Sequence, residues 1–209
     1  MKELTWFFDF ISPFAYLQFE TMANKLPEDI HIEYCPTLFA GFLNHWEHKG
    51  PAEIPAKRTF TYRYVKWLAQ KQNIPLNMPA VHPFNPLALL RLAICLHCRE
   101  DAVRKIFHFI WRDGKSVDNE GQLGSLLKEL DVEPQALAKP EVKNKLRENG
   151  ERAIALGVFG VPTFVYDRQI FWGYDSTEML VDYMENPQMF AADKEIEKLP
   201  MGNIKRKFT

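Results

Sequence analysis

Ten residues near the N-terminus, Phe7-Phe8-Asp9-Phe10-Ile11-Ser12-Pro13-Phe14-Ala15-Tyr16, constrain the rest of the chain most. Leu4 to Phe8 reads as the end of a buried strand, and a short turn leads from it into a helix. Ser12 occupies the N-cap and Pro13 the first helical position, where a missing N–H costs nothing. A helix start just beyond a sheet edge is a ready site for an anionic group. Ser12 is therefore either a cap alone or a cap beside such a site, and this stretch by itself leaves both open.

The chain then continues as an α/β protein should. A helix over about 13–26 leads through Pro27-Glu28-Asp29 to the alternating Ile30-His31-Ile32-Glu33-Tyr34, a second strand. One crossover helix between two strands makes them parallel neighbours. From Thr37 to about Asn149 the alternation disappears. Helices are predicted over about 56–72, 86–98, 101–112, 120–130 and 141–156, punctuated by Pro51, Pro55, Pro75, Pro79, Pro83 and Pro86. Strand character returns at Thr163–Tyr166 and, past an Asp167-Arg168-Gln169 turn, at Ile170–Trp172, a compact hairpin closed by a helix over 177–183. The order β-α-β, helices, helix-β-β-α is that of a thioredoxin-like fold carrying an inserted all-helical domain. The expected division is a thioredoxin-like part over 1–37 and 150–186, a helical insertion over 38–149 and a C-terminal tail over 187–209. The tail turns polar from Glu185, carries Lys-Arg-Lys at 205–207, and is read as lying over the surface or onto a partner subunit.

Composition excludes several classes. Lys plus Arg number 26 against 27 for Asp plus Glu, so no charge imbalance points to nucleic acid or to a membrane surface. No apolar run has the length of a membrane span. Met1-Lys2-Glu3-Leu4-Thr5 runs directly into a strand without a signal-peptide core, so the expected location is the cytoplasm. Three cysteines, Cys35, Cys95 and Cys98, are an odd number and do not form a disulfide framework.

Several stretches bear on chemistry. In Gly157-Val158-Phe159-Gly160-Val161-Pro162-Thr163-Phe164, proline before a strand favours a cis peptide. A cis Pro162 would turn the Val161 backbone outward for pairing with an extended ligand; the alternative is a plain helix-to-strand turn. Cys95-Leu96-His97-Cys98 falls late in its helix, where the dipole disfavours a thiolate, so both are read as packed thiols. His45-Trp46-Glu47-His48 has metal-like spacing but lacks a third ligand, and no metal is expected. Lys57 and Arg58 sit at a helix start that disfavours cations, so they pair with a carboxylate or form a solvated surface pair. Asp175 and Ser176, in Gly173-Tyr174-Asp175-Ser176, either cap the last helix or grip a ligand ammonium.

Together these stretches, with Gly50-Pro51-Ala52-Glu53-Ile54-Pro55-Ala56-Lys57-Arg58 and Phe171-Trp172-Gly173-Tyr174-Asp175, resemble two glutathione-using families. These are the 2-hydroxychromene-2-carboxylate isomerases and the kappa-class glutathione transferases, of the DsbA-like branch of the thioredoxin fold. The resemblance implies a glutathione-dependent isomerase acting on an aromatic or conjugated carbonyl compound, with kappa-type conjugation as the alternative and a non-catalytic glutathione or peptide-binding module as a third. It implies that Ser12 replaces a redox cysteine and hydrogen-bonds the glutathione sulfur. Val161 and Pro162 would meet the glutathione backbone, Asp175 with Ser176 its γ-glutamyl end, and Lys57 either glutathione or a substrate carboxylate. Phe14 and His48 would face the substrate. The chain departs from the isomerases at two places, with His48 where they carry asparagine and Ser176 where they carry arginine. Relatives pair, so the resemblance also implies a homodimer. A thiol–disulfide oxidoreductase fails on chemistry, since Ser12 cannot form a mixed disulfide, and survives only if Cys95 and Cys98 are surface-exposed and readily oxidised.

Overall fold

A computed structural model describes residues 2–196, 198–200 and 202. The polar stretch with Lys-Arg-Lys at 205–207 lies outside the described residues.

The first strand, β1 (Lys2–Phe8), runs parallel to β2 (Ile30–Pro36), in register from Lys2 opposite Ile30 to Phe8 opposite Pro36. The helix between them, α1 (Pro13–Lys25), starts at Ser12 and stops at Leu26, ahead of Pro27. On the other edge β1 pairs antiparallel with β3 (Thr163–Tyr166), which turns into β4 (Gln169–Trp172). The resulting order is β2-β1-β3-β4. Asp167 and Arg168 both have positive φ, 49° and 65°, as a two-residue hairpin of matching twist requires.

The period of two along β1 divides the molecule into layers. Leu4, Trp6 and Phe8 face the larger core with Phe19 of α1 and Phe107. Phe7 faces the other way, into a smaller cluster with Cys35, Phe42, Ala153 and Val158. Both sheet faces are thus covered, and the chain leaving β1 at Asp9 and entering β3 through Val161 lines the site.

Six helices separate β2 from β3. They are α2 (Phe39–His45), α3 (Pro55–Lys71), α4 (Leu87–Cys95), α5 (Glu100–Phe107, continued by a π-helical turn His108–Arg112), α6 (Glu120–Glu129) and α7 (Pro140–Ala155). A last helix, α8 (Thr177–Glu185), follows β4. Three differences from the sequence reading have physical causes. The short α2 was not foreseen, because its seven residues bury only Phe42 and show no clear period. Next, α4 ends at Cys95 rather than running to Cys98: His97 and Cys98 take φ of 54° and 51°, which no helix continues. Finally, the start of the polar C-terminal stretch is a 3-10 helix, Pro187–Glu195, held because Phe190 stacks against Phe171 and Tyr183. Among the described residues no helix is long and apolar enough to cross a membrane.

Candidate functional site

Ser12 is the N-cap of α1, and its Oγ accepts the Ala15 N–H at 3.2 Å. That bond uses a lone pair and leaves the hydroxyl hydrogen free to donate. The side chain is only 8% exposed, and what exposure remains opens onto a cavity of ≈ 270 Å³ beside it. Apolar side chains dominate this cavity, among them Ile11, Phe14, Phe39 and Leu43.

Asp9 lies in the wall of the same cavity, fully buried at the end of β1. Its Oδ1 accepts the Ile11 N–H at 3.1 Å and its Oδ2 the Phe39 N–H at 2.8 Å. Burial pushes the carboxyl up to about 7, and the backbone N–H donors of Phe39, Ile11 and Phe10 only partly oppose it. Asp9 therefore shapes the Ser12 turn from below and joins it to α2.

Across the cavity stand Tyr62 and His82. Nε2 of His82 is 2.8 Å from the Ile11 carbonyl, and Nδ1 is 2.6 Å from the Tyr62 hydroxyl. Burial holds the imidazole below its ordinary pKa, the Ile11 bond opposes that, and the nearby Arg58 charge adds to it. The ring is therefore neutral, with one N–H. A carbonyl can only accept, so that N–H is on Nε2, and Nδ1 is left to accept from Tyr62. The ring also meets Trp111 edge-on, with centroids 5.4 Å apart.

A second cavity of ≈ 490 Å³ adjoins the first, sharing Phe14, Phe39, Pro51, Thr61 and Val161 with it. Its lining is of a different kind. His48, Lys49 and Lys57 contribute from the loop after α2 and the first turn of α3, while Val161, Pro162 and Asp175 contribute from the two loops flanking the hairpin. The Val161–Pro162 bond is cis. Gly173 donates its N–H to the Pro162 carbonyl at 2.9 Å, fixing the loop that carries Asp175 against the cis proline. The loop bearing His48 is fastened to the same region through Trp46, whose Nε1–H donates to the Val158 carbonyl at 3.1 Å.

The structure thus brings Ser12, Phe14, His48, Lys57, Val161, Pro162 and Asp175 around two joined cavities. Ser176 stands apart: it lines neither, and its hydroxyl donates to the Gly173 carbonyl at 3.0 Å. Sequence reasoning missed Tyr62 and His82 and gave Asp9 no role. A signal for Asp9 was present, since an acid three residues before a buried helix cap has little but backbone N–H to satisfy it. Nothing local marks Tyr62 or His82, which meet only in space.

The cysteines lie elsewhere. Burial pushes Cys35 up to about 12 and Cys98 up to about 11, and raises Cys95 as well. All three are free, and none begins a helix. Among the described residues no group of three His, Cys, Asp or Glu side chains is placed to hold a metal ion.

A cis proline facing a serine-capped helix, beneath helices inserted between the second and third strands, defines a class. The chain belongs to the family described as the DSBA-like thioredoxin domain, whose model matches residues 3–185. Among its relatives is glutathione S-transferase kappa 2 of Caenorhabditis elegans, 30% identical over 213 residues, covering 89% of this chain and 93% of that protein. The 2-hydroxychromene-2-carboxylate isomerase of Sphingobium xenophagum is 28% identical over 196 residues, covering 88% and 98%. The solved structure of a selenomethionine-substituted 2-hydroxychromene-2-carboxylate isomerase superposes with a TM-score of 0.74 at 23% identity, covering 91% of this chain and 98% of that one. The similar proteins bear the names of enzymes, and two of these three are isomerases.

Proposed function

We propose that the protein is a glutathione-dependent enzyme that isomerises an aromatic or conjugated carbonyl compound, the class to which 2-hydroxychromene-2-carboxylate belongs. The observation carrying this reading is the Ser12 hydroxyl. It is capped through a lone pair, keeps its hydrogen, and faces a cavity that joins a second one of tripeptide size.

Glutathione occupies the wider cavity. Its backbone pairs with Val161 beside cis Pro162, Asp175 meets the γ-glutamyl ammonium, and Lys57 with His48 or Lys49 meets carboxylate. Ser176 holds Gly173 from behind rather than touching the ligand. The thiol then reaches Ser12, where the hydroxyl and the start of α1 favour thiolate over thiol. Ser12 itself does not attack.

In the reaction the thiolate sulfur bonds to an unsaturated carbon of the substrate, and the displaced π pair passes to the carbonyl oxygen as enolate. The former double bond, now single, rotates. The enolate pair then returns, the carbon–sulfur bond breaks, and thiolate is regenerated with the isomer. Phe14 supplies a flat wall where the two cavities meet.

Conjugation of glutathione to an electrophile is the second reading, favoured by the 30% identity to a kappa transferase. It uses the same site and stops after the first bond. Three free thiols suit a reducing compartment, and the reading places the enzyme in the cytoplasm as a homodimer. Calorimetric titration with glutathione is the test: saturable binding, weakened in Asp175→Asn, is expected, and no heat at millimolar glutathione would sink both readings.

A further inference from the structure

The two cavities differ in what they offer a ligand. Cations line the wider one, from Lys49 and Lys57. Neither lysine nor arginine lines the deeper one, whose charged or ionisable lining is Asp9, Glu53, Tyr62 and the neutral His82. Both oxygens of Asp9 are engaged by backbone N–H groups, and Glu53 accepts the Gly50 N–H through Oε2.

Tyr62 adds a sharper restriction. Its hydroxyl has one hydrogen and lies 2.6 Å from Nδ1 of His82 and 3.1 Å from the carbonyl oxygen of the same residue. Both partners are acceptors once the Ile11 carbonyl has fixed the tautomer, so the hydrogen goes to His82 in either orientation. What Tyr62 has left for the cavity is a lone pair. Arg58, one turn earlier on exposed α3, is the cation whose field reaches Tyr62 and His82, yet it does not line the cavity.

We infer that the deep cavity takes an uncharged aromatic part of the conjugated carbonyl substrate that bears a phenolic or enolic hydroxyl, whose O–H donates to the Tyr62 oxygen. An anionic carboxylate inside the cavity would find no lining cation, and the Ser12 hydroxyl already serves the glutathione sulfur, so a carboxylate of the substrate lies toward Lys57 in the wider cavity. At ≈ 270 Å³ the cavity suits one or two fused rings. This deepens the glutathione-dependent reading by naming the class of its second substrate. It also divides labour between the cavities: anionic glutathione in the cationic one, a neutral hydroxylated ring in the apolar one. His82 acts as a positioning residue, holding the hydrogen of Tyr62 away from the ligand.

The test uses three probes of one shape, read by tryptophan fluorescence with the whole protein and no glutathione: naphthol, its methyl ether, and naphthoate. Naphthol is expected to bind roughly fivefold to tenfold tighter than the ether, the value of one buried neutral hydrogen bond, and tighter than naphthoate. Tyr62→Phe is expected to erase the naphthol-over-ether preference while glutathione binding, measured separately by calorimetry, stays unchanged. Equal binding of naphthol and ether to the wild type overturns the inference without any variant, as does failure of all three to bind. Naphthoate binding as tight as that of naphthol or tighter overturns it, in favour of Arg58 drawing an anion into the cavity where Arg58→Gln abolishes that binding, and of the Ser12 hydroxyl where Ser12→Ala does. Loss of glutathione binding alone would instead count against the enzyme reading and leave this inference standing.

Discussion

The N–H of Phe39 donates to Oδ2 of Asp9 at 2.8 Å, and this bond fastens the first residue of α2 to the turn that carries Ser12. The carboxyl is fully buried, so burial raises it to about 7 from an ordinary 3.8. A raised carboxyl holds its proton in the folded protein at pH values where the unfolded chain has already lost it.

Stability should therefore fall as pH rises. Below about 4 both states are protonated at Asp9 and its full contribution is present. Between about 4 and 7 the unfolded state alone is ionised, and the contribution is lost as pH passes the folded value. The span corresponds to a loss on the order of 4 kcal/mol at most. Urea unfolding across this range should show a falling slope in the wild type and a flatter one in Asp9→Asn. Identical slopes would mean that Asp9 titrates as an ordinary exposed acid.

Ser12→Ala removes both uses of the hydroxyl. Loss of the cap should cost about 1 kcal/mol, which in a chain of this size lowers Tm by roughly 2–4 °C. The larger effect is expected on bound glutathione, whose thiol should ionise at higher pH than in the wild-type complex. Thiolate absorbance followed through a pH titration reads this directly. An unchanged titration with a lowered Tm would reduce Ser12 to a cap.

The strand-turn-helix at the N-terminus and the hairpin were legible because each is written in neighbouring residues, whereas those around Pro162 left a cis bond and a plain turn both open. Ser12-Pro13 fixes a helix start, alternation fixes β2, and Val161-Pro162 before an apolar strand fixes a turn. The deep cavity was not legible. Tyr62 reaches His82 across 20 residues, and His82 reaches Ile11 across 71, so no window along the chain contains the arrangement. The second cis peptide, His82–Pro83, lies in that same unread stretch. Ser176 is the reverse case: the motif sets it beside Asp175, and its hydroxyl donates to the Gly173 carbonyl.

Gly173 has φ of +94°, a conformation that L side chains rarely adopt, and a Cβ there would lie 2.6 Å from Oδ1 of Asp175. Gly173→Ala should therefore cost about 1–3 kcal/mol in strain and push the Asp175 carboxylate from its place. Glutathione affinity, measured by calorimetry, should drop about as far as it does in Asp175→Asn. Wild-type affinity in Gly173→Ala would mean that the position of this carboxylate does not matter to the ligand.

Gln18 links this loop to the core. Fully buried on α1, it accepts the Trp6 indole N–H at 2.7 Å and donates to the Gly173 carbonyl at 3.0 Å and the Thr177 hydroxyl at 2.9 Å. The Gly173 carbonyl keeps the Ser176 hydroxyl when Gln18 is removed, whereas the Trp6 N–H is left without a partner among the described residues. Gln18→Leu should then cost about 1–3 kcal/mol, chiefly the desolvation of that N–H. Trp6→Phe removes the orphaned donor, so the double variant should be more stable than the sum of the two single losses allows. Urea unfolding of the four proteins measures the coupling, and strict additivity would show that the Trp6–Gln18 bond contributes nothing. Glutathione affinity separates the two roles of the side chain. It should weaken in Gln18→Leu and stay weak in the double variant, because relieving Trp6 does nothing to restore the hold on Gly173.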